Sequence, residues 1–205
     1  MRRRLLALAA LVLLAPAAAR ADCAHLIDCR VRKGTSGVWA LAPSPAFPAA
    51  VIGLAAVGAV YDGGETRLGK TLWQSLDSAA LSGAATFGLK ESFQRARPTQ
   101  SQSPDDWFSG RTHQSFPSGD VSAVTSVTFP LIAEYRSDHP SVWALALLPL
   151  FDMAARVKYN AHWPTDVLAG AAVGAAAGWA ARRPSSPVIL GLLPHGFAVG
   201  LRARF

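Results

Sequence analysis

Arg156, His162 and Asp166 lie close together in the stretch Arg156-Val157-Lys158-Tyr159-Asn160-Ala161-His162-Trp163-Pro164-Thr165-Asp166, which separates two apolar segments. A histidine can attack phosphorus covalently when a carboxylate on its far ring nitrogen fixes the tautomer. An arginine fork matches phosphate oxygens and offsets the charge that builds on them. The commoner fate of a histidine and an aspartate four apart in a helical protein is a plain hydrogen-bonded pair. Pro164 narrows the placement, because proline suits the first position of a helix and restricts the residue before it. His162 is therefore expected at a loop–helix junction, with Asp166 in the first turn of the following helix.

Two further clusters suit the same anion. Lys90 is followed seven positions later by Arg97-Pro98, which places positive charge near one helix end. Phe116-Pro117-Ser118-Gly119-Asp120 offers a hydroxyl and free backbone N–H groups at a predicted helix start, a ready anion site. Taken singly, the first is a solvated basic face and the second an ordinary helix cap. In this order and at these spacings the three clusters converge on one phosphate.

On these residues the sequence resembles the type 2 phosphatidic acid phosphatase and vanadium haloperoxidase superfamily. That family carries Lys-x6-Arg-Pro, then Pro-Ser-Gly-His, then Ser-Arg-x5-His-x3-Asp. The resemblance covers roughly residues 50–182. It implies a mainly α fold, a helical bundle with the site at one end, and metal-independent chemistry without a cofactor. It also implies roles for residues. Lys90, Arg97 and Arg156 would clamp the phosphate, and Ser118 and Gly119 would donate a hydroxyl and an amide to it. His162 would be the nucleophile that becomes phosphohistidine, and Asp166 its orienting carboxylate. The implied reaction is hydrolysis of a lipid phosphate or lipid diphosphate, with contact to a membrane surface.

Two positions depart from the family pattern. Ala155 replaces the serine before the motif arginine, at little cost. Asp120 replaces the histidine to which the resemblance assigns protonation of the leaving oxygen. An unperturbed aspartate has a pKa near ~3.9 and is ionised at neutral pH, so it gives no proton and repels phosphate. Three readings follow. The site holds Asp120 protonated; or His113 of the polar loop replaces it, with Asp105 and Asp106 as weaker substitutes; or the leaving group is a diphosphate, a stabler anion than an alkoxide. The alternative functions are a catalytically impaired relative that binds phosphate or a lipid headgroup and, behind it, a vanadate-dependent peroxidase.

These residues need elements to position them. Residues 49–61 form an apolar run closed by Asp62-Gly63-Gly64, shorter than the ~20 residues of a membrane span. Leu68, Leu72, Leu76, Gly83 and Phe87 recur at helical steps and predict one helix over 66–92. Residues 98–117 are polar and predict a long surface loop of the kind that covers sites. A second helix is expected from Ser118 to about Arg136, and a third from Ser141 to about Lys158 with a kink at Pro149. A fourth, rich in Ala and Gly and able to pack closely, is expected from Pro164 to about Arg183. The helical domain thus spans 49–183. In the tail, 184–205, Val188–Leu193 and Phe197–Phe205 predict a β-hairpin, with Phe197, Val199, Leu201, Ala203 and Phe205 on one face.

Arg2-Arg3-Arg4, an apolar run from Leu5 to Leu14 and small residues up to Ala21 predict a signal peptide over 1–21. The protein is then expected to be exported to the bacterial periplasm or cell envelope. Residues 22–48 are irregular by their Gly and Pro content. Cys23 and Cys29, the only cysteines, are expected to pair in an oxidising compartment. Residues 1–21 hold four of the 20 basic residues and none of the 13 acidic ones. The charge beyond them is 16 basic against 13 acidic, or +3, which does not indicate nucleic-acid binding. Hydrophobic residues make up 51% and charged residues 16%, which suits a buried bundle or a polytopic protein. Asp77, Glu134 and Asp152 within the candidate helices favour a compact exported bundle that touches the membrane. Trp107, Phe108 and Trp163 either line an acyl or prenyl groove or simply pack.

Overall fold

A computed structural model describes residues 45–182 continuously, with 22–23, 27–34, 36–37 and 39 before them and the backbone of 188–193 and 196–201 after them. The signal peptide expected over 1–21 lies outside the described residues. The chain is mainly helical. Its α-helices are α1 Ala46–Asp62, α2 Arg67–Phe93, α3 Gly119–Tyr135, α4 Leu147–Lys158 and α5 Pro164–Ala181. The Thr66 hydroxyl caps α2 by accepting from Gly69 N–H at 2.9 Å, which satisfies one of the free donors of the first turn. At the other end Gln94 turns into the left-handed region, φ 43°, and sends the chain into the loop that reaches Ser118.

Helix α3 is the middle of the bundle and packs against α1, α2, α4 and α5. It can be approached closely because α5 presents glycines every fourth residue. A Cβ on Gly170 would stand 2.5 Å from Ser118 O, and one on Gly174 2.4 Å from Ser122 O. The two backbones therefore touch, as the Ala- and Gly-rich composition of the fourth predicted helix implied. Small residues also build the core between α1, α2 and α3, where Ala55, Ala59, Leu72 and Val127 cluster. Between α2 and α3 the interior is polar, and the Ser122 hydroxyl bonds Ser82 and Thr86, as most buried hydroxyls do.

Pro149 acts differently from expectation. The third predicted helix is in fact a 3-10 helix, Pro140–Ala146, running directly into α4. Pro149 is in the first turn of α4, where its missing N–H has no intrahelical partner to lose, so it is not a mid-helix kink. The interior proline is Pro130, inside α3. The combined stretch Pro140–Lys158 is long and apolar enough to cross a membrane by length and composition alone, yet it carries buried Asp152 and Arg156.

Ahead of the bundle, a short β-ladder pairs Asp22–Cys23 (β1) with Cys29–Arg30 (β2), with Cys23 across from Cys29. Cys29 is disulfide-bonded. In the tail, β3 Val188–Leu193 and β4 Gly196–Leu201 form an antiparallel hairpin. The alternating face expected from Phe197 to Phe205 concerns side chains outside the described residues.

Candidate active site

The ends of α2 and α4 and the starts of α3 and α5 meet at one end of the bundle. Pro164 opens α5, so His162 sits at the loop–helix junction and Asp166 in the first turn. His162 is buried. Its Nδ1 lies 2.8 Å from the Ser115 carbonyl oxygen, which can only accept, so Nδ1 carries the proton. Nε2 makes no hydrogen bond to a described residue. The Asp166 carboxylate is 3.7 Å from Nδ1, too long for a hydrogen bond but close enough for charge. The tautomer is therefore held first by a backbone carbonyl, with the carboxylate behind it.

Asp166 is fully buried and densely bonded. Oδ1 accepts from Arg95 Nη1 at 2.6 Å. Oδ2 accepts from the Ser115 hydroxyl and from Trp163 N–H at 2.9 Å. Burial pushes its pKa up, but His162, Arg95 and Ser115 outweigh burial and hold it below the usual carboxylate range. Burial drives the His162 pKa below its ordinary value; Lys90 and Arg97 add to this, and Asp166 opposes it. A neutral imidazole with its Nδ1 proton engaged presents a lone pair at Nε2, the form a nucleophile needs.

Lys90, in the last turn of α2, donates to the Gln114 carbonyl. Burial, then the neighbouring Arg97, lowers its pKa to about 8. The Arg97 guanidinium makes no hydrogen bond to a described residue, so its fork is open to an anion. Ser118 precedes α3 without capping it; its hydroxyl is buried and has no partner among the described residues, which is unusual unless a ligand supplies one. Its own N–H donates to Asp166 O at 2.9 Å, tying the start of α3 to the start of α5. Gly119 is the first residue of α3 and brings that helix start next to Lys90, whose Cε a Cβ at Gly119 would meet at 3.7 Å.

Arg156 is not an open clamp. It is buried, and its Nη1 lies 3.0 Å from Asp120 Oδ2 while its Nε donates to Asp152 Oδ1 at 3.1 Å. Burial raises the pKa of Asp152 against the pull of Arg156. Asp120 thus serves as an acceptor for the motif arginine. His113 stays in the loop, paired with the Thr112 hydroxyl at 3.2 Å, and none of its described bonds reaches this cluster. Asp106 accepts from Ser101 in the same loop. Trp163 is buried and donates from Nε1 to Ala96 O at 2.9 Å, so it packs rather than lines a groove. Trp107 does line one, of about 560 Å³, with Phe116, Arg95 and Asp28.

Three residues escaped the sequence reading. Ser115 bonds both His162 and Asp166. Arg95 is almost fully buried and reaches Asp166, Thr165 and Asp28. Asp28 accepts from Arg95 and from the start of α5. The only available signals were the position of Arg95 two residues before Arg97 and that of Asp28 beside Cys29. Among the described residues no three His, Cys, Asp or Glu side chains group as a metal site.

Comparison with known proteins points to the same segment. The sequence model of the PAP2 superfamily matches residues 71–186. A lipid A 1-phosphatase of Porphyromonas gingivalis is 32% identical over 117 residues, 56% of this chain and 24% of the relative. The chain therefore spans about a quarter of that curated relative. The crystal structure of Aquifex aeolicus LpxE is similar at TM-score 0.45 and 19% identity, covering 67% of this chain and 86% of that one.

Proposed function

The chain belongs to the PAP2 superfamily, and on that footing we propose a phosphatase that hydrolyses a lipid phosphate or lipid diphosphate through a phosphohistidine on His162. The observation that carries this is the state of the His162 ring: Nδ1 engaged by Ser115 O at 2.8 Å, Nε2 unengaged, and Lys90 and Arg97 close enough to lower its pKa. The Nε2 lone pair attacks phosphorus, and the bond from phosphorus to the leaving oxygen breaks. Lys90, Arg97, the Ser118 hydroxyl and the Gly119 N–H hold the non-bridging oxygens. Asp166 stabilises the proton-bearing side of the ring. Water then attacks the phosphohistidine, releasing inorganic phosphate and restoring neutral His162.

Asp120, paired with Arg156, is not placed as a general acid in this scheme. Leaving groups that need no proton are favoured, which ranks a diphosphate above a simple alkyl phosphate. The same pairing supports a second reading, a relative that binds phosphate without turning it over. Contact with a membrane surface fits α1, whose Leu54, Val57 and Tyr61 are exposed along one stripe. Export to the envelope remains part of the proposal and rests on the signal-like residues 1–21.

The test is phosphate release from a prenyl diphosphate, phosphatidic acid and lipid A, the last suggested by the name of the relative. Wild type is compared with His162→Ala from pH 4 to 8. Release should fall by ~10⁴-fold or more in the variant, and acid-labile phosphate should be trapped on the wild type alone. Phosphate binding without release from any of the three would establish the binding-only reading instead.

A further inference from the structure

The geometry points to Asp28 as a positioning residue for the His162–Asp166 pair, acting through Arg95 and Thr165 from a disulfide-held segment outside the helical bundle. This rests on the phosphohistidine reading of the site. Arg95 is 2% exposed and its guanidinium is held between two carboxylates, Asp166 Oδ1 at 2.6 Å and Asp28 Oδ2 at 2.7 Å. A buried arginine needs its donors satisfied, and Nε is satisfied by Pro104 O at 2.8 Å. With Asp28 gone, one arm of the fork would be left unpaired in the interior, where the remaining carboxylate alone must hold it.

Asp28 also completes the start of α5. Trp163 precedes that helix and has no side-chain acceptor, so the first N–H groups need outside partners. Asp166 takes the Trp163 N–H. Asp28 Oδ1 takes the Thr165 N–H at 2.9 Å, and Oδ2 takes the Thr165 hydroxyl at 2.7 Å. One carboxylate thus fixes both the backbone that carries Asp166 and the cation that orients it. Asp28 has no described contact with Lys90, Arg97, Ser118 or His162, so it does not touch the phosphate site. The next residue, Cys29, is disulfide-bonded, and Cys23 is the only other cysteine. Reduction would remove one tether of the segment that delivers Asp28, the others being Gly34 N–H to Lys158 O and Asn160 Nδ2 to Val31 O, both at 3.0 Å, and it touches none of the proposed phosphate-binding groups.

The experiment measures kcat and KM for wild type and Asp28→Asn, each with and without dithiothreitol. Thermal melting and the NMR signal of the His162 Nδ1 proton are recorded on the same samples. Asp28→Asn should lower kcat by ~10²-fold, the scale of a small misplacement at a reacting centre, with KM changed by less than ~3-fold. Dithiothreitol should lower kcat of the wild type and add nothing in Asp28→Asn. The Nδ1 proton should exchange faster with water in Asp28→Asn at temperatures well below its melting point. Unchanged kcat, or the same fractional loss on reduction in both proteins, would overturn the role of Asp28. Should the wild type turn over no substrate, the phosphohistidine reading has failed on its own, and the His162 Nδ1 exchange still decides whether Asp28 positions the ring.

Discussion

Asp120 Oδ2 lies 3.0 Å from Arg156 Nη1, so the residue at the second-motif histidine position occupies the arginine expected to face phosphate. On the proposed reading, a carboxylate paired with Arg156 competes with the substrate for that cation and is turned away from the leaving group. Wild-type kcat should therefore depend steeply on leaving-group acidity across a series of aryl and alkyl phosphates. Asp120→His should flatten that dependence, raising kcat by ~10²-fold or more for the poorest leaving groups and little for the best. Equal slopes in the two proteins would show that Asp120 is already doing the work of an acid.

Asp120→Asn separates repulsion from proton donation. The amide keeps the shape and removes the charge opposing the phosphate. KM for a phosphate substrate should fall several-fold, and kcat should hold within ~3-fold. A kcat loss near ~10²-fold, the usual size of a general-acid contribution, would instead assign Asp120 a protonated, donating role.

The dependence on pH follows from two lowered pKa values. Burial, helped by Lys90 and Arg97, holds His162 below the ordinary ~6.5. Attack needs neutral Nε2, so kcat/KM should climb with pH along an acid limb centred below ~6.5. The same shift has a stability sign. The unfolded chain binds more protons than the native one as pH drops below ~6.5, so stability falls there as pH is lowered. Lys90, brought to about 8 by burial and Arg97 and opposed by Asp166 and Asp120, loses its charge above that pH. An alkaline limb at about 8 is expected in kcat/KM, which reports the free enzyme. Lys90→Arg should abolish the alkaline limb and leave the acid limb. A limb that survives the substitution belongs to another group.

The candidate site was legible where spacing along the chain carries it. Lys90, Arg97, Ser118, His162 and Asp166 fall at helix ends marked by proline, glycine or a change of hydrophobic period, and local signals locate such ends. Asp28, Arg95 and Ser115 were not legible. Arg95 meets Asp28 across 67 positions, and Asp28 meets Thr165 across 137, and no periodicity encodes a pairing of that range. The same limit hid the partner of Asp120, whose charge was read as a threat to the phosphate rather than as a ligand of Arg156. The ends of α2, α3 and α5 lie within a few residues of those expected, because Gly and Pro punctuate them, whereas the apolar run over 49–61 carries no helical expectation and proves to be α1, Ala46–Asp62. A further exception is the stretch before α4, where a 3-10 helix satisfies the same apolar pattern as the α-helix predicted there.

The glycines of α5 give the last prediction, and they divide by position. Gly170 faces the carbonyl of Ser118, and Gly174 the carbonyl of Ser122 one turn further along α3. An alanine methyl at either place meets backbone, which cannot rotate away, so each substitution should destabilise by ~1–3 kcal/mol through overpacking. Their effects on turnover should differ. Pushing α3 away at Gly170 displaces Ser118, whose hydroxyl is proposed to hold a phosphate oxygen and whose N–H is tied to Asp166 O. Pushing at Gly174 moves a part of α3 that carries no site residue. Gly170→Ala should therefore lose both melting temperature and kcat, while Gly174→Ala should lose melting temperature and keep most of its kcat when assayed well below its melting point. Equal losses of kcat in the two variants would mean that α3 shifts as one rigid body and that Ser118 holds no special place in the coupling.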